Sequence, residues 1–517
     1  MTYVMAIDNG TQSVRAIVFD EHGEVVASGK QEIEPYFSAQ PGWAEQNVDV
    51  YWQAMLTACH QVWQSGAVEP SQIEGLSVTT QRGTVVCMDD EGRALRPAII
   101  WLDQREAAGT PQLPARWRLL FKLAGVSHTI ERFCKRAQLN WLAEHEPEAW
   151  KRTQRFGLLS AWLNCQLTGE FRDSIASQVG YIPFDFKRRS WAGKRDWRWH
   201  VLPVRPDQLP VLVEPGERLG LLQAKQAGEM GLPEGLPVFA AASDKACEIL
   251  GSGGYTPEIG CLSYGTTATI NTCRDSYLEV EPHMPPYPAA VPGRFATEVN
   301  IYRGFWMVSW FKKEFGSREV ALADQLDVAP ETVLDKLISD IPAGSMGLVL
   351  QPYWSPGARD PGPEAKGGII GFGDVHTRAH IYRAILEGLA YGLREGLEKI
   401  EKRSGTKLQY LRVSGGGSKS DIALQLTADI FNLPVERPHT AETSALGAAI
   451  NTMVGLGIYP DHRSAMERMT RVGRRFEPQQ DAVATYERLY VEVYKRMYKQ
   501  LQPLYKSIRD ITGYPSL

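Results

Sequence analysis

Ser414-Gly415-Gly416-Gly417-Ser418-Lys419-Ser420 is a polar, glycine-bearing turn between an apolar, strand-like run and a helix. Two other stretches share its form, Asp8-Asn9-Gly10-Thr11 and Tyr264-Gly265-Thr266-Thr267. Such turns present backbone N–H groups where no bulky side chain keeps a phosphate or a nucleotide away. One alone would mean little. Three, spread from residue 8 to residue 420, suggest a nucleotide held between two lobes. The manner of binding is not that of a P-loop, because the triglycine run lacks the Gly-Lys-Ser/Thr ending and its spacing. Nor is it that of a Rossmann turn, because no Gly-x-Gly-x-x-Gly follows a strand.

At 517 residues the chain exceeds one ordinary core and suits two large domains or about three smaller ones. Composition is that of a soluble globular protein, 43% hydrophobic and 22% charged. A formal net charge of −4 gives no electrostatic reason to expect a nucleic-acid partner or an anionic membrane. Lys187-Arg188-Arg189 and Arg471-Val472-Gly473-Arg474-Arg475 read as solvated surface. The chain enters the strand-like run Tyr3 to Ile7 at once, with no basic region before it, so no signal peptide is expected. No apolar run approaches the ~20 residues of a membrane span. Seven scattered cysteines without a Cys-x-x-Cys argue for a reducing, cytoplasmic setting and against a zinc or disulfide framework.

Residues 3–8, 13–20 and 24–31 read as an antiparallel meander whose first turn carries Gly10-Thr11. Short strands follow at 76–80, 84–88 and 97–101, and helices at 139–145 and 158–167. A strand at 260–264, the Gly265-Thr266 turn and a strand at 268–273 repeat the opening arrangement, an architectural duplication with the boundary near Gly251-Ser252-Gly253-Gly254. Residues 282–293, with five prolines, read as an extended loop, and 351–368 as a second Gly/Pro loop. Residues 380–402 carry Ile381, Ile385, Leu389, Leu393, Leu397 and Ile400 on one helical stripe, with Gly405 to end it. Residues 421–431 form another helix, and 486–501 an amphipathic one with a tyrosine stripe suited to docking on a domain.

Several residues admit both a chemical and a plain reading. Asp8 is either a carboxylate that orients Mg²⁺ beside phosphates or a turn cap. Thr11, Gln12 and Arg15 are donors near a transferred phosphoryl, or surface. Asp244 follows the apolar strand 237–242 and opens a small-residue helix. It can take a hydroxyl proton from a substrate, although local sequence favours an N-cap. Gly415 to Gly417 lie flat against a ligand, or simply turn the chain. Gln81-Arg82-Gly83 and Trp101-Leu102-Asp103-Gln104-Arg105 end strands with groups apt for a sugar, or form a surface ion pair and a core Trp.

Together these residues resemble the FGGY carbohydrate kinases, a branch of the sugar kinase, actin and Hsp70 superfamily. The likeness spans roughly residues 3–500 with the motifs in the family's order. Gly367-Gly368-Ile369-Ile370-Gly371-Phe372 followed by His380-Ile381-Tyr382-Arg383-Ala384-Ile385-Leu386-Glu387 is similar to the C-terminal signature, with Phe372 where a smaller aliphatic is usual. Gly415 to Ser420 look like the adenosine motif, Ala445-Leu446-Gly447-Ala448-Ala449 like the helix after it, and Tyr264-Gly265-Thr266 like the second phosphate motif. The chain has Gln138 where the family usually carries Lys. It has Gly83 where glycerol kinases have Glu, and Gln81-Arg82 where xylulokinases have Met-His.

The resemblance implies an α/β architecture of two ribonuclease-H-like domains flanking a cleft. Residues 1–254 would bind the sugar and 255–480 ATP, with a helical tail, 481–517, packed on a domain. It implies Asp244 as general base and Asp8 with Asp244 at Mg²⁺. Gly10, Thr11, Gln12, Arg15, Gly265 and Thr266 would face the phosphates, and Gly415, Gly416, Gly417 and Ser420 the adenosine. Arg82, Trp101, Asp103, Phe133 and Asp244 would meet a small sugar or polyol. The expected activity is phosphorylation of a hydroxyl on a small ketose or polyol. A glycerol kinase-like preference, a non-catalytic sugar- or nucleotide-sensing role and an actin-type ATPase are the rivals, and a homodimer is left open.

Overall fold

The computed structural model describes residues 2–109, 113–355, 357 and 361–514. The chain forms two compact units. The first comprises Met1–Gly253, Arg274–Ala296 and Glu442–Thr470, the second Gly254–Cys273, Thr297–Ala441 and Arg471–Leu517.

The first unit is built on a six-stranded sheet in the order Arg218–Leu221, Pro237–Ser243, Ile73–Thr80, Tyr3–Asn9, Ser13–Asp20, Val25–Glu32. Tyr3–Asn9 pairs antiparallel with Ser13–Asp20 and parallel with Ile73–Thr80, and Ile73–Thr80 pairs parallel with Pro237–Ser243. A strand covered on both faces must be apolar along its length, and Val4, Met5, Ala6 and Ile7 are fully buried. The second unit repeats the plan in the order Phe295–Ile301, Ala268–Arg274, Ile259–Tyr264, Tyr410–Ser414, Val435–Pro438, Val472–Phe476. Ile259–Tyr264 is antiparallel to Ala268–Arg274 and parallel to Tyr410–Ser414. Each sheet is thus a meander, two parallel strands and an antiparallel edge, the duplication expected from the paired Gly-Thr turns.

The sequence pattern treats 255–480 as one block, yet Arg274–Ala296 and Glu442–Thr470 pack with the first unit. The reason for the second return is a helix crossing. Helix Thr443–Gly455 lies on helix Asp244–Gly251 so closely that a Cβ on Gly251 would fall 2.0 Å from the Thr443 carbonyl oxygen. A Cβ on Gly447 would fall 2.0 Å from that of Cys247. Only glycine permits backbone at this distance. The same helix covers the sheet, where Ser77 Oγ donates to the Ala448 carbonyl at 3.1 Å.

In the second unit, helix Arg378–Ser404 ends at Gly405 in the left-handed region, φ +71°. Its Arg383 and Glu387 form a buried pair at 3.0 Å. Glu387 also accepts from Ser345 Oγ at 2.8 Å and from the Tyr486 hydroxyl at 2.7 Å. Two residues of the C-terminal signature thereby pin the tail, which runs as Gln480–Arg488, a π-helical turn Leu489–Tyr494 and Lys495–Thr512. Tyr490 and Tyr494 stack with each other and on Tyr391 of the long helix. The proline-rich stretch 282–293 is not all loop: Tyr287–Pro288 pairs antiparallel with Ala296 and Phe295. Val349–Gln351 pairs with Gly368–Ile370 across the second Gly/Pro stretch, in which residues 356 and 358–360 lie outside the described residues.

The crossing makes a stability prediction. Gly447→Val forces overpacking against backbone, a defect of about 1–3 kcal/mol or more, so its thermal midpoint by calorimetry drops several degrees or soluble protein is lost. Gly228→Ala, where an added Cβ meets nothing within 4 Å, leaves the midpoint essentially in place.

Candidate active site

The ends of three adjacent strands in the first unit carry the chemistry. Asp8 is one residue from the end of Tyr3–Asn9, opposite Arg15 on one side and Thr79 on the other. Arg15 Nη1 lies 3.7 Å from the Asp8 carboxylate and 3.0 Å from that of Glu442. Asp244 follows Pro237–Ser243 and opens helix Asp244–Gly251. Its Oδ1 accepts from the backbone N–H of Lys245 at 2.7 Å, and Lys245 Nζ pairs with Glu248 at 2.7 Å.

Burial pushes the Asp8 carboxyl up to about 7; Arg15 opposes this, while Asp244, Glu442 and Glu248 add to it. Burial also raises Asp244 above the usual carboxylate value, against the pull of Lys245 and Arg82. For Lys245 burial acts downward, but Glu248 and Asp244 hold the ammonium above its ordinary value. Two desolvated carboxylates that each disfavour the other's charge make a place where a cation is welcome. Among the described residues no group of three or more His, Cys, Asp or Glu is placed to hold a metal by itself. A divalent ion at Asp8 and Asp244 would therefore need phosphate oxygens and water to complete its shell.

The residues assigned to a sugar divide. Arg82 acts on Asp244 and lies over the Tyr287 ring, 5.1 Å from its centroid. Trp101 is 38% exposed, and its Cβ is 3.6 Å from where a Cβ on Gly83 would sit. Trp101 Nε1 donates to Thr11 Oγ1 at 3.0 Å and Thr11 Oγ1 donates to Gln81 Oε1 at 2.7 Å, so these three form one cluster that the chain joins to Arg82. Asp103 turns away from them. Its side chain, 1% exposed, is held by Arg105 at 2.7 Å and by the Ala44 N–H at 2.6 Å. Arg105 in turn lies between the rings of Trp43 and Trp141, at 4.0 and 4.5 Å. The pair is buried, so Asp103 offers no carboxylate to a ligand. Phe133 packs edge-on against Tyr181 and Trp197 in the second cluster of the first unit. Sequence reasoning missed Lys245, Glu248, Glu442 and Tyr287. Lys245 and Glu248, one and four residues after Asp244 on the same helix, were legible as its neighbours; Glu442 and Tyr287 depend on long-range packing.

The glycine turns also differ from expectation. Gly10 N–H donates to the Ser13 carbonyl at 3.1 Å, so it closes the hairpin and does not face a ligand, while Gln12 is exposed at the tip. In the second unit Gly415 has φ +83°, and a Cβ there would sit 3.0 Å from the Tyr264 carbonyl. A Cβ on Gly417 would fall 2.3 Å from the Phe305 ring, which stacks on Tyr264 at 4.3 Å. Gly416 alone has open space where a Cβ would be. Ser420 caps helix Asp421–Phe431, accepting from Ala423 N–H at 3.0 Å and donating to Asp335 at 2.8 Å. Its hydroxyl is therefore committed within the protein. Gly265, half-buried, and Thr266, exposed, form the tip between their strands, and their carbonyls accept from Phe305 and Trp306 N–H.

The chain matches the model of the FGGY family of carbohydrate kinases, N-terminal domain, over residues 3–251 and that of the C-terminal domain over 260–456. The chain belongs to the FGGY family of carbohydrate kinases. This carbohydrate kinase is 28% identical over 514 residues to a xylulose kinase of Staphylococcus epidermidis, covering 99% of each chain. It is 29% identical over 489 residues to a glycerol kinase of Dechloromonas aromatica, covering 92% of this chain and 93% of the relative. Its fold matches the crystal structure of xylulose kinase from Rhodospirillum rubrum with a TM-score of 0.80 at 26% identity, over 98% of this chain and all of the other. The two-domain α/β fold and the phosphotransferase class of the kinase are those expected from the motifs. No helix among the described residues is long and apolar enough to cross a membrane.

The raised Asp8 carboxyl sets a pH signature on stability. Between about pH 4 and 7 the unfolded kinase has released this proton while the folded one keeps it, so the folded state binds more protons and loses stability as pH rises. Asp8→Asn, which cannot ionise, is expected to raise the thermal midpoint, and by more at pH 8 than at pH 5. Equal gains at both pH values would contradict this.

Proposed function

We propose that this kinase transfers the γ-phosphoryl group of ATP to a hydroxyl of a small ketose or polyol, with Asp244 as general base. The observation that carries the reading is a desolvated Asp244 at a helix start, flanked by Lys245 and Arg82, on the same strand ends as a second desolvated carboxylate, Asp8. The relatives are named for xylulose, a ketose, and for glycerol, a polyol, and they bracket the substrate class.

Asp244 takes the proton of the attacking hydroxyl. Its Oδ1 already accepts from the Lys245 N–H, which favours Oδ2 for the proton. Lys245 and Arg82 pull against the burial that raises Asp244, and a carboxylate so raised is a stronger base than an exposed Asp. Arg82 presents guanidinium donors to the acceptor's hydroxyls, and Trp101 a ring for its C–H groups. Asp8 and Asp244 would hold Mg²⁺, which supplies neutralising charge to the transferring phosphoryl group. Arg15, already beside Asp8, adds positive charge on the same side. The open flank of Gly416 and the Gly265-Thr266 tip are where the second unit would meet ATP. Gly83 leaves the turn after Ile73–Thr80 without a side chain there, which suits an acceptor longer than glycerol.

Asp244→Asn keeps the shape and removes the base. The expected result is a fall in kcat of about 10²–10⁴, with ATP binding by calorimetry retained and the fold intact. For the wild type, kcat/KM falls as pH drops, with its acid limb above the ordinary carboxylate range, because the base must be ionised to act. Near-normal turnover in the Asn variant would remove Asp244 as base.

A further inference from the structure

Residues 113–136 of the first unit carry six Lys and Arg against one acid, Glu131. The formal charge of −4 over the whole chain hides this segment, which holds +5 and leaves −9 on all other residues together. Its cations are not used alike. Lys135 pairs with Glu131 at 3.0 Å and Arg136 with Glu106 at 2.8 Å. Arg116, Arg118 and Lys122 have no ion pair among the described residues, and all three are exposed.

These three lie on helix Ala115–Leu123, among apolar residues that are exposed as well. Leu119 is 60% exposed, Leu120 51% and Leu123 78%. Only Phe121 is buried, with Trp117 half-buried. Their rings stack, and Phe121 meets Trp197 edge-on at 5.5 Å. Two aromatic side chains thus hold the helix down and turn the rest outward. Leu119 and Leu123, one turn apart, form the outermost ridge. Arg118 and Lys122, also one turn apart, run along one side of it, and Arg116 with Leu120 along the other. A shallow pocket of about 350 Å³ opens there, lined by Arg116, Trp117, Leu120 and Arg195. Two guanidinium groups at its rim suit a phosphate.

A convex leucine ridge between rows of cations fits a surface whose apolar and anionic groups lie at different depths. An anionic bilayer has that layering, with phosphates outside and acyl chains beneath. A protein partner fits less well, because a stable interface takes about 800 Å² from each side and the ridge is two turns of one short helix. A nucleic acid would engage the cations and leave the leucines in water.

We propose that helix Ala115–Leu123 is a reversible anchor to an anionic lipid surface. Leu119, Leu120 and Leu123 enter the acyl boundary, Arg118 and Lys122 meet the headgroups, and Arg116 with Arg195 takes a lipid phosphate. None of these residues belongs to the candidate active site, so the inference stands apart from the proposed reaction.

The test is co-sedimentation of the full chain with vesicles of phosphatidylcholine alone, and of an equal mixture with phosphatidylglycerol. Half of the protein is expected to bind the mixed vesicles at about 0.1–1 mM lipid, the range of a single acyl-chain anchor. Binding should be at least about fivefold weaker on phosphatidylcholine. It should weaken by about as much between about 0.1 and about 1 M salt, where the Debye length falls from about 10 to about 3 Å. Leu119→Ser with Leu123→Ser, and separately Arg118→Gln with Lys122→Gln, should each weaken binding about tenfold. All four side chains are exposed, so the thermal midpoint of both variants should stay that of wild type. Absence of binding to either vesicle overturns the proposal, as does equal binding to both. Leucine variants that bind like wild type overturn it too, by reducing the attraction to charge alone. A wild-type oligomer in sedimentation velocity that the leucine variants dissociate would assign the ridge to a second copy of the chain instead.

Discussion

Backbone meets backbone where helix Asp244–Gly251 crosses helix Thr443–Gly455, and the first unit's chemistry depends on that contact. Gly251 and Gly447 leave no room for a Cβ, so the two helices form one rigid layer under the sheet. Asp244 begins one of them and Glu442 precedes the other. The crossing thus fixes a general-base candidate and an acidic partner of Arg15 at the ends of the same three strands. A looser packing of larger side chains would let both first turns drift, and proton transfer tolerates little drift.

Around that layer the charges are balanced but dry. Asp8, Asp244, Glu248 and Glu442 face Arg15, Lys245 and Arg82, and burial still raises both aspartates. The site stores a demand for positive charge that the protein's own cations do not fully meet.

Much of this was legible in the sequence because it is local. The family and the two-domain fold followed from the order of glycine turns and signatures. The meanders followed from alternation and turn residues, and the long helix from its apolar stripe and Gly405. What the sequence hid was what each group faces. Gly417 is needed for the Phe305 ring and Gly415 for the Tyr264 backbone, so of the triglycine run only Gly416 has open space where a side chain would be. Gly10 uses its N–H on Ser13. Asp103 looked like a sugar ligand beside Trp101, but the turn that follows strand Ala98–Ile99 carries it inward to Arg105 and the Ala44 N–H. The return of 442–470 to the first unit, and Tyr287 over Arg82, join residues hundreds of positions apart, and no local pattern encodes that.

That return has a consequence for biosynthesis. The first unit's sheet is complete when residue 243 has been made, but the helix that covers it arrives only with residues 443–455. At ribosomal rates of about 5–20 residues per second the interval is on the order of ten to forty seconds. For that time the nascent chain exposes an apolar sheet face containing Val4 and Ala6, and the glycines that demand a close partner have none. Residues 254–273 and 297–441 of the second unit must be synthesised before the first can close. The two lobes therefore cannot mature one after the other as beads on a string, and a chaperone that shields the early sheet has a defined window in which to act.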